Sequence, residues 1–313
     1  MEAFIRKHSD FSKHMIEVYG FDAVLATISD ENTSIIAKYD EEVEQDDFII
    51  CGEFSGVIKG ISVTGNSMTL TCAGVDEAFS RTSYYNVSTT DGMTAEELLS
   101  ALLKFEYVYC DSLYAMPYLD IRTGGGTALI KPSRNEYGLY TMTAYLKKLR
   151  KKGINIQYDL RGDKLVISFA KYPTEQASID FVCHNTVTGE TYGGFTVTKV
   201  TNYTNGVPTD YYLLSDGTVT NDASAENRVY GSWEVTINSE EDAILEKFAA
   251  TYGHQILFHS KEKYELYTPL RLRMPSGKML DSFISCVGVK SNDSHYYYTA
   301  GELRTTLTAK LRK

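Results

Sequence analysis

The stretch that decides the fold is residues 48–76, which read FIICGEFSGVIKGISVTGNSMTLTCAGVD. Phe48–Cys51 and Phe54–Val63 are rich in β-branched and aromatic residues, which favour strands. After Phe54–Val63, the residues Thr64-Gly65-Asn66 are of the types that form tight turns. The sequence therefore predicts consecutive antiparallel strands over this region.

The strand that follows the turn has the clearest pattern in the chain. Apolar and polar residues alternate strictly from Ser67 to Cys72, and side chains on a strand point alternately to opposite faces. The alternation predicts a half-buried strand whose inner face carries Met68, Leu70 and Cys72. Residues 21–38 are interpreted in the same way, as two strands joined by a turn at residues 30–32. Residues 1–20 begin polar and alternate only weakly.

Helical patterns appear in the middle of the chain. Thr94-Ala95-Glu96-Glu97 is a capping box and predicts a helix from about residue 95 to 105. Its inner face is predicted to carry Leu98, Leu99, Leu102, Leu103 and Phe105. A second helix is predicted from about Thr141 to Lys152, with Gly153 in a left-handed C-cap. Its apolar stripe comprises Met142, Tyr145, Leu146 and Leu149.

Strand patterns return after the second helix. A hairpin is predicted over residues 154–172, with its turn at Arg161-Gly162-Asp163. Phe195–Tyr203 and Thr209–Leu214 flank Asn205-Gly206, a residue pair typical of two-residue hairpin turns. Ser239 is a predicted N-cap for a third helix with an acidic first turn. The inner face of that helix is predicted to carry Ile244, Leu245 and Phe248. Gln255–His259 and Tyr264–Thr308 are predicted to be β again.

These patterns predict an α+β fold that is predominantly β, with α/β and helical insertions. A chain of 313 residues is long enough for several packed units. The predicted divisions are a first β unit (1–88), an α+β insert (89–185), the first part of a second β unit (186–236), a helical insert (237–262) and the closing strands of the second β unit (263–313).

Composition narrows the possible functions. The net charge of −10 disfavours a protein that binds nucleic acid through its phosphates. A negatively charged surface can still let a nucleic acid pass, because it repels the phosphate backbone and does not bind it. No apolar run approaches the roughly 20 residues that span a bilayer, and the N-terminus has no signal-peptide pattern. The chain has five scattered cysteines, typical of a reducing compartment. We therefore expect a soluble protein that is made and folded in a cytoplasm.

Candidate catalytic and metal-binding residues have simpler structural interpretations. Cys183-His184 are neighbours in sequence, so on a strand they point to opposite faces and cannot form a nucleophile pair. His254 and His259 bracket a short strand without an accompanying carboxylate motif. Gly124-Gly125-Gly126 precedes an extended segment that ends in Pro132, rather than the helix that a phosphate-binding loop needs.

Charged motifs are also better explained by structure. The acidic pairs Glu41/Glu42, Asp46/Asp47 and Glu240/Glu241 fall in predicted loops or in a helix first turn. The basic cluster of residues 147–152 lies at a helix C-terminus, where cations complement the helix dipole, and is predicted to be exposed. The sequence thus predicts no catalytic residue, no cofactor-binding residue and no metal ligand, and the chain is expected not to be an enzyme.

Two stretches resemble a known family. Residues 56–61 fit the pattern G-x-I-x-x-I, and residues 69–76 fit T-L-T-x-x-G-x-D, followed by Arg81. These segments resemble the N-terminal barrel of the tail-hub, baseplate-hub and tail-tip proteins of long-tailed phages and contractile injection systems. Segments 267–272, 277–287 and 297–308 are similar to the second barrel of that family. The resemblance therefore implies two small β-barrel-like domains, the first over residues 1–88 and the second over residues 186–236 and 263–313. Pro269-Leu270 departs from the family's Gly-Asp turn.

The resemblance implies a structural phage or prophage protein. It would be a baseplate or tail-tip hub subunit that forms a trimeric ring linking the tail tube to the tip. Its partners would be two further copies of itself, distal tail or tail-tube proteins, and tape-measure or tip proteins. DNA would pass through the lumen without specific binding, and the protein would end in the virion tail.

Two other functions remain open from the residues. The chain has 24 Tyr against 1 Trp and 13 Phe, and tyrosines can stack on sugar rings, so a carbohydrate-binding or adhesin module is the second hypothesis. A row of solvent-facing tyrosines on one sheet would favour sugar binding, and tyrosines spread along sheet edges would favour assembly. The third hypothesis is a tail-associated hydrolase with dispersed acidic residues.

Overall fold

A computed structural model describes residues 2–28, 32–83, 88–110, 115–122, 124, 126–135, 137–181, 186–192, 197–216, 218–239, 241–248 and 254–301. The strands are β1 (Glu2–Arg6), β2 (Lys13–Thr27), β3 (Thr33–Lys38), β4 (Phe48–Cys51), β5 (Phe54–Thr64), β6 (Ser67–Gly74), β7 (Thr82–Ser83), β8 (Leu119–Ile121), β9 (Tyr140–Thr141), β10 (Ile154–Asp159), β11 (Leu165–Lys171), β12 (Ala177–Asp180), β13 (Thr186–Tyr192), β14 (Val197–Thr204), β15 (Val207–Leu213), β16 (Val219–Thr220), β17 (Ser232–Ile237), β18 (His254–Ser260), β19 (Pro269–Arg273), β20 (Met279–Lys290) and β21 (Tyr296–Ala300). The helices are α1 (Ala95–Leu103), α2 (Met142–Lys151) and α3 (Glu241–Phe248). The prediction of a predominantly β, α+β fold is confirmed.

The first six strands form a closed barrel. They pair in the order β1-β4-β5-β6-β3-β2, and β2 pairs back with β1, so the barrel has no free edge. Branched and small apolar side chains fill the interior, among them Ile5, Ile16, Ile35, Ile49, Ile58 and Leu70. The predicted inner face of β6 is confirmed, because Met68, Leu70 and Cys72 are all buried.

The N-terminal strands are longer than the sequence predicts. The strand predicted to begin near residue 21 begins at Lys13 and runs for 15 residues as β2. Along its length β2 pairs first with β1, then with β3, and finally with β20. Register shifts between Val18 and Gly20 and between Val24 and Ala26 interrupt its alternation, which explains why the sequence pattern is weak. The turn predicted at residues 30–32 lies largely outside the described residues.

Helix α1 confirms the capping box. The Thr94 side chain accepts a hydrogen bond from the Glu97 backbone N–H at 3.2 Å, and the Thr94 N–H donates to Glu97 Oε2 at 2.8 Å. The four predicted leucines are buried, but the prediction for Phe105 was wrong. A π-helical turn follows at Lys104–Val108, shifts the helical phase and leaves Phe105 46% exposed.

Removing the cap tests how much it contributes. Thr94→Ala is expected to lower the free energy of unfolding by about 1 kcal/mol, because a backbone N–H in the first turn loses its acceptor. Urea denaturation followed by circular dichroism measures the change. Thr64→Ala, at an exposed position in the β5–β6 hairpin, is the control and should change the free energy of unfolding by less than about 0.5 kcal/mol. An equal loss of unfolding free energy in both variants would show that the hydrogen bonds of the cap do not stabilise the protein.

Helix α2 and the hairpin after it are confirmed. The helix buries Met142, Tyr145, Leu146 and Leu149, as predicted, and Gly153 follows it with a φ of 92°, in the left-handed region. β10 pairs antiparallel with β11, and β11 pairs in parallel with β8. These elements share a core with α1 and with Phe48, Ile50 and Val57, which point outward from the barrel. The helical insert therefore packs directly on the barrel wall.

Later strands of the chain also join the barrel sheet. β20 pairs with β2 over Asp22–Thr27 and with β19 over Pro269–Arg273, and β19 pairs in parallel with β12. β21 follows β20 in the strand order. Pro269 opens β19 rather than a Gly-Asp turn, and the strand still forms.

A separate four-stranded sheet has the order β16-β15-β14-β17. Its β14–β15 hairpin turns at Asn205-Gly206, whose φ angles of 51° and 82° confirm the predicted turn pair. Helix α3 packs on one face through Ile244 and Phe248. Leu245, predicted for the inner face, is 42% exposed, so that prediction was wrong. The helix begins at Glu241, two residues after the predicted N-cap Ser239, and Glu240 of the predicted acidic first turn lies outside the described residues.

The chain divides into two compact units. The first comprises Met1–Thr186 and His259–Tyr298, and the second comprises Val187–Phe258 and Thr299–Lys313. The four-stranded sheet, α3 and the pair β13–β18 belong to the second unit. This division does not test the five predicted divisions, which remain a prediction. No helix in the described part of the chain is long and apolar enough to cross a membrane.

Candidate functional site

The end of the second motif stretch forms a charged junction between the barrel and the insert. Asp76 lies in a 3-10 turn (Val75–Phe79) directly after β6. Its carboxylate accepts two hydrogen bonds from Arg150 on α2, from Nε at 3.1 Å and from Nη2 at 2.7 Å. The Tyr158 hydroxyl on β10 donates to the same carboxylate. Three elements distant in sequence are thus joined by one carboxylate.

The junction is largely shielded from water. Burial opposes the charge on Arg150, but the adjacent Asp76 carboxylate outweighs it and raises the pKa of the guanidinium. Burial, and then the same carboxylate, raise the pKa of the Tyr158 hydroxyl well above its usual value. Both groups therefore keep one protonation state at neutral pH, which suits a structural link better than proton transfer.

The exposed basic cluster predicted for residues 147–152 needs correction. Arg150 points inward to Asp76 and has a side-chain exposure of only 16%. Lys148 donates to Ser133 Oγ at 2.9 Å, and Lys147 lies 3.9 Å from Glu77. The sequence could not separate the inward residue from its neighbours, because the acceptor lies 74 residues earlier in the chain.

A cavity of about 690 Å³ lies beside this junction in the first unit. Its charged lining is balanced, with three carboxylates and three cations: Glu53, Asp76, Glu77, Lys59, Lys147 and Arg150. Each lining cation lies near a carboxylate: Lys59 is 3.3 Å from Asp46, Lys147 is 3.9 Å from Glu77, and Arg150 is 2.7 Å from Asp76. Because the charges neutralise one another, the cavity has no bias toward an anionic or cationic ligand.

Only some of the candidate catalytic and metal-binding residues of the sequence lie in the part of the chain that the structure describes. Cys183-His184, Gly125 and the side chain of His254 lie outside the described residues. His259 packs edge-on against His295 with ring centroids 5.2 Å apart, and His295 Nδ1 lies 2.7 Å from Asp293 Oδ1. Within the described ranges, no group of three or more His, Cys, Asp or Glu side chains is arranged to hold a metal ion.

The predicted turn at residues 161–163 and the acidic pair Asp46/Asp47 both contribute to local structure. Arg161-Gly162-Asp163 occupies the turn between β10 and β11, and the Arg161 carbonyl accepts a hydrogen bond from Arg6 Nη2 at 2.7 Å. Asp47, from the acidic run before β4, is buried and accepts from the His8 N–H at 2.8 Å. The Asp47 carboxylate also pairs with Lys7 at 2.7 Å. These contacts fix loops at one end of the barrel.

Among the described residues, two exposed apolar surfaces are further candidates for function. The first, the barrel face, lies on the outside of β2 and β3 and comprises Met15, Tyr19 and Ile36, each 46–53% exposed. Gly20 pairs with Ile36 across the two strands, so Tyr19 and Ile36 lie close together, and Met15 lies four residues earlier on the exposed side of β2. Exposed apolar groups that cluster on a sheet mark surfaces for binding other molecules.

The second surface, the aromatic face, lies on the four-stranded sheet opposite α3. β14 and β17 pair in parallel, so their matched residues share a face. Trp233, Val235 and Ile237 of β17 lie on this face and are 59%, 51% and 70% exposed. β14 adds Lys199, Thr201 and Tyr203, and β15 adds Asp210 and Tyr212. The chain's single tryptophan is therefore open to solvent.

Sequence reasoning missed this face because it left β17 unassigned. The signal was present, since residues 232–237 read SWEVTI and alternate polar with apolar residues. In a strand with one face on a protein core, such alternation usually places the apolar side chains on the buried face. Here Glu234 points toward α3, where it pairs with Lys247 at 3.3 Å, and the apolar side faces water.

Known structures share this fold. No protein-family model matches the sequence, and no curated protein matches it. A tail protein from Neisseria meningitidis aligns with a TM-score of 0.54 at 12% identity, over 96% of each chain. A prophage tail protein from Listeria monocytogenes aligns at 0.52 and 9% identity, over 99% of this chain and 98% of that one. The p2 virion baseplate in its activated conformation contains a chain that aligns at 0.51 and 11% identity, over 97% and 99%.

The fold is thus that of phage tail and baseplate proteins over nearly the whole chain. This finding confirms the resemblance that the sequence shows through residues 56–61 and 69–76.

Proposed function

We propose that this protein is a non-catalytic structural subunit of a phage or prophage tail, at the baseplate or tail tip. The observation that carries the proposal is the likeness of fold to tail and baseplate proteins along 96–99% of the chain. The described residues that could supply chemistry support a structural role, because their charges are paired into links between elements. In this proposal the five predicted divisions describe two barrels and their insertions.

The subunit acts by assembling into a homotrimeric hub ring. Two barrels in each chain would give a ring with pseudo-sixfold symmetry, joining the tail tube to the tip and leaving a lumen for DNA. A net charge of −10 suits a lumen that does not hold the phosphate backbone. Distal tail, tail-tube, tape-measure or tip proteins would be its neighbours. Assembly takes place in the bacterial cytoplasm, and the mature location is the virion tail.

The barrel face is the surface we assign to contact between subunits in this ring. Its members are exposed in the single chain, and Met and Tyr are typical of protein interfaces. Burying Met15, Tyr19 and Ile36 against another subunit would remove apolar surface from water and so favour association.

Mass measurement in solution tests the ring. Sedimentation equilibrium across a concentration series is expected to show a species of three times the 35.1 kDa chain mass, and electron microscopy to show rings. Tyr19→Ser combined with Ile36→Ser should shift the equilibrium toward monomer. Tyr137→Ser, at a 76% exposed position outside the barrel face, is the matched control and should leave the trimer unchanged. A protein that stays monomeric at every concentration would contradict the proposal.

A further inference from the structure

An ordered row of rings and cations crosses the aromatic face of the second unit. The Arg228 guanidinium carbon lies 4.7 Å from the ring centre of Tyr212 and 5.9 Å from that of Tyr230. Lys199 Nζ lies 5.6 Å from the ring centres of both Tyr212 and Trp233. The row therefore runs Tyr230, Arg228, Tyr212, Lys199, Trp233. Cation–π attraction holds each cation against its rings.

The polar atoms of the row are already bonded within the sheet. Trp233 Nε1 donates to Thr201 Oγ1 at 2.9 Å, and the Tyr212 hydroxyl donates to Asp210 at 3.1 Å. Lys199 Nζ lies 2.8 Å from the same Asp210 carboxylate. These bonds fix the rings in place, so the indole offers its ring surface to solvent rather than a hydrogen-bond donor. A fixed ring loses little entropy when a ligand stacks on it.

Arg228 is the exception, because it forms no ion pair with any carboxylate in the part of the chain that the structure describes. Its Nε donates to the Ala225 carbonyl at 3.1 Å, and no described carboxylate lies within 4 Å of the guanidinium. Asp222, whose carboxylate feels the charge of Arg228, is bound to Ser224 through the Ser224 N–H at 2.8 Å. The outer nitrogens of Arg228 thus remain available to accept an anionic partner, although the chain as a whole is strongly negative.

From this arrangement we propose that the aromatic face binds an acidic saccharide. The apolar, C–H-bearing face of a sugar ring stacks on Trp233 or Tyr230, which are 59% and 83% exposed. The carboxylate or phosphate of the same saccharide accepts hydrogen bonds from the Arg228 guanidinium. The charge of the ligand complements the one unpaired cation of the face. This binding does not depend on ring assembly.

Other occupants fit the face less well. Protein interfaces are depleted in Lys and Asp, yet a Lys199–Asp210 pair lies in the middle of this row. Single-stranded nucleic acid needs a continuous basic track, whereas the face has one unpaired cation. A saccharide uses both features, because stacked rings and scattered polar groups match its alternating C–H and hydroxyl surface.

The single tryptophan makes the proposal directly measurable, because Trp233 is the chain's only source of tryptophan fluorescence. The full chain is titrated with tetragalacturonate, an acidic oligosaccharide, and with maltotetraose, a neutral one of the same length. Tetragalacturonate is expected to change the emission saturably, and maltotetraose to bind at least about tenfold more weakly. Added salt should weaken only the acidic ligand.

Three variants separate the parts of the site. Arg228→Gln should weaken tetragalacturonate binding about tenfold and leave maltotetraose unchanged, because only the charged contact is lost. Tyr230→Ser should weaken both ligands, since it removes a stacking surface. Tyr137→Ser, at a similarly exposed tyrosine of the first unit, is the matched control and should change neither. Circular dichroism confirms that each variant is folded.

Four results would overturn the proposal. They are an absence of saturable emission change with tetragalacturonate, equal binding of the neutral oligosaccharide, tighter binding of oligothymidylate than of tetragalacturonate, and a Trp233 emission that shifts with protein concentration alone. The last result would show that a second copy covers the face. The mass of the assembly is measured separately, so failure of sugar binding and failure of the ring are distinguishable.

Discussion

Replacing Gly56 by alanine is expected to lower the free energy of unfolding by about 3 kcal/mol, the upper range for overpacking. A Cβ at this position would lie 2.3 Å from the Ala73 carbonyl oxygen and 2.4 Å from the Phe54 ring. The first contact is with backbone of the neighbouring strand, so relief requires β5 and β6 to move apart. Both strands belong to the closed barrel, where a local shift disturbs the pairing around it.

Gly60 provides the matched control on the same strand. A Cβ there meets only the Thr71 Cβ, at 3.8 Å, which is ordinary contact. Gly60→Ala should therefore leave stability unchanged or raise it slightly, by reducing the freedom of the unfolded chain. Urea unfolding curves of both variants measure the difference. If the two substitutions lowered the free energy of unfolding equally, close packing at Gly56 would not be the reason for the loss.

Features that depend on local sequence could be predicted. The inner face of β6 and the capping box at Thr94 were predictable, because a strand's alternation and a helix cap involve residues a few positions apart. The turn at Asn205-Gly206 was predictable for the same reason, since both residues adopt a backbone conformation that few others tolerate.

Features that depend on distant partners could not be predicted. The far end of β2 is held by β20, more than 250 residues later, and the bulges that let β2 change partners break its alternation. Phe105 illustrates a different limit, because a single π-helical turn moved it from the expected inner face to the surface.

The candidate sites show the same contrast. Arg150 stands among lysines at a helix C-terminus, so local rules assign it to the surface, whereas the structure turns it toward Asp76. The aromatic face combines residues from β14, β15 and β17 with Arg228 and Tyr230, and no spacing in the sequence joins them. Only the alternation within β17 was visible in advance.

Asp76→Ala is the second change with a large expected effect, a loss of about 3 kcal/mol in the free energy of unfolding. The substitution removes the two carboxylate acceptors of the Arg150 guanidinium and the acceptor of the Tyr158 hydroxyl, and it leaves Arg150 with the Ile156 carbonyl at 2.9 Å. Arg150 would then remain as a largely buried charge without a negatively charged partner, which costs more than the pair itself contributes. Urea denaturation measures the loss.

Two further variants identify its cause. Asp76→Leu combined with Arg150→Met removes both charges and replaces them with apolar groups, so it should cost less than Asp76→Ala alone, even though two residues change. Asp22→Ala breaks an exposed pair with Lys290 at 3.5 Å, outside the barrel face, and should cost less than about 1 kcal/mol. If the double variant were the less stable, the junction would depend on the attraction within the pair, rather than on keeping a buried charge neutralised.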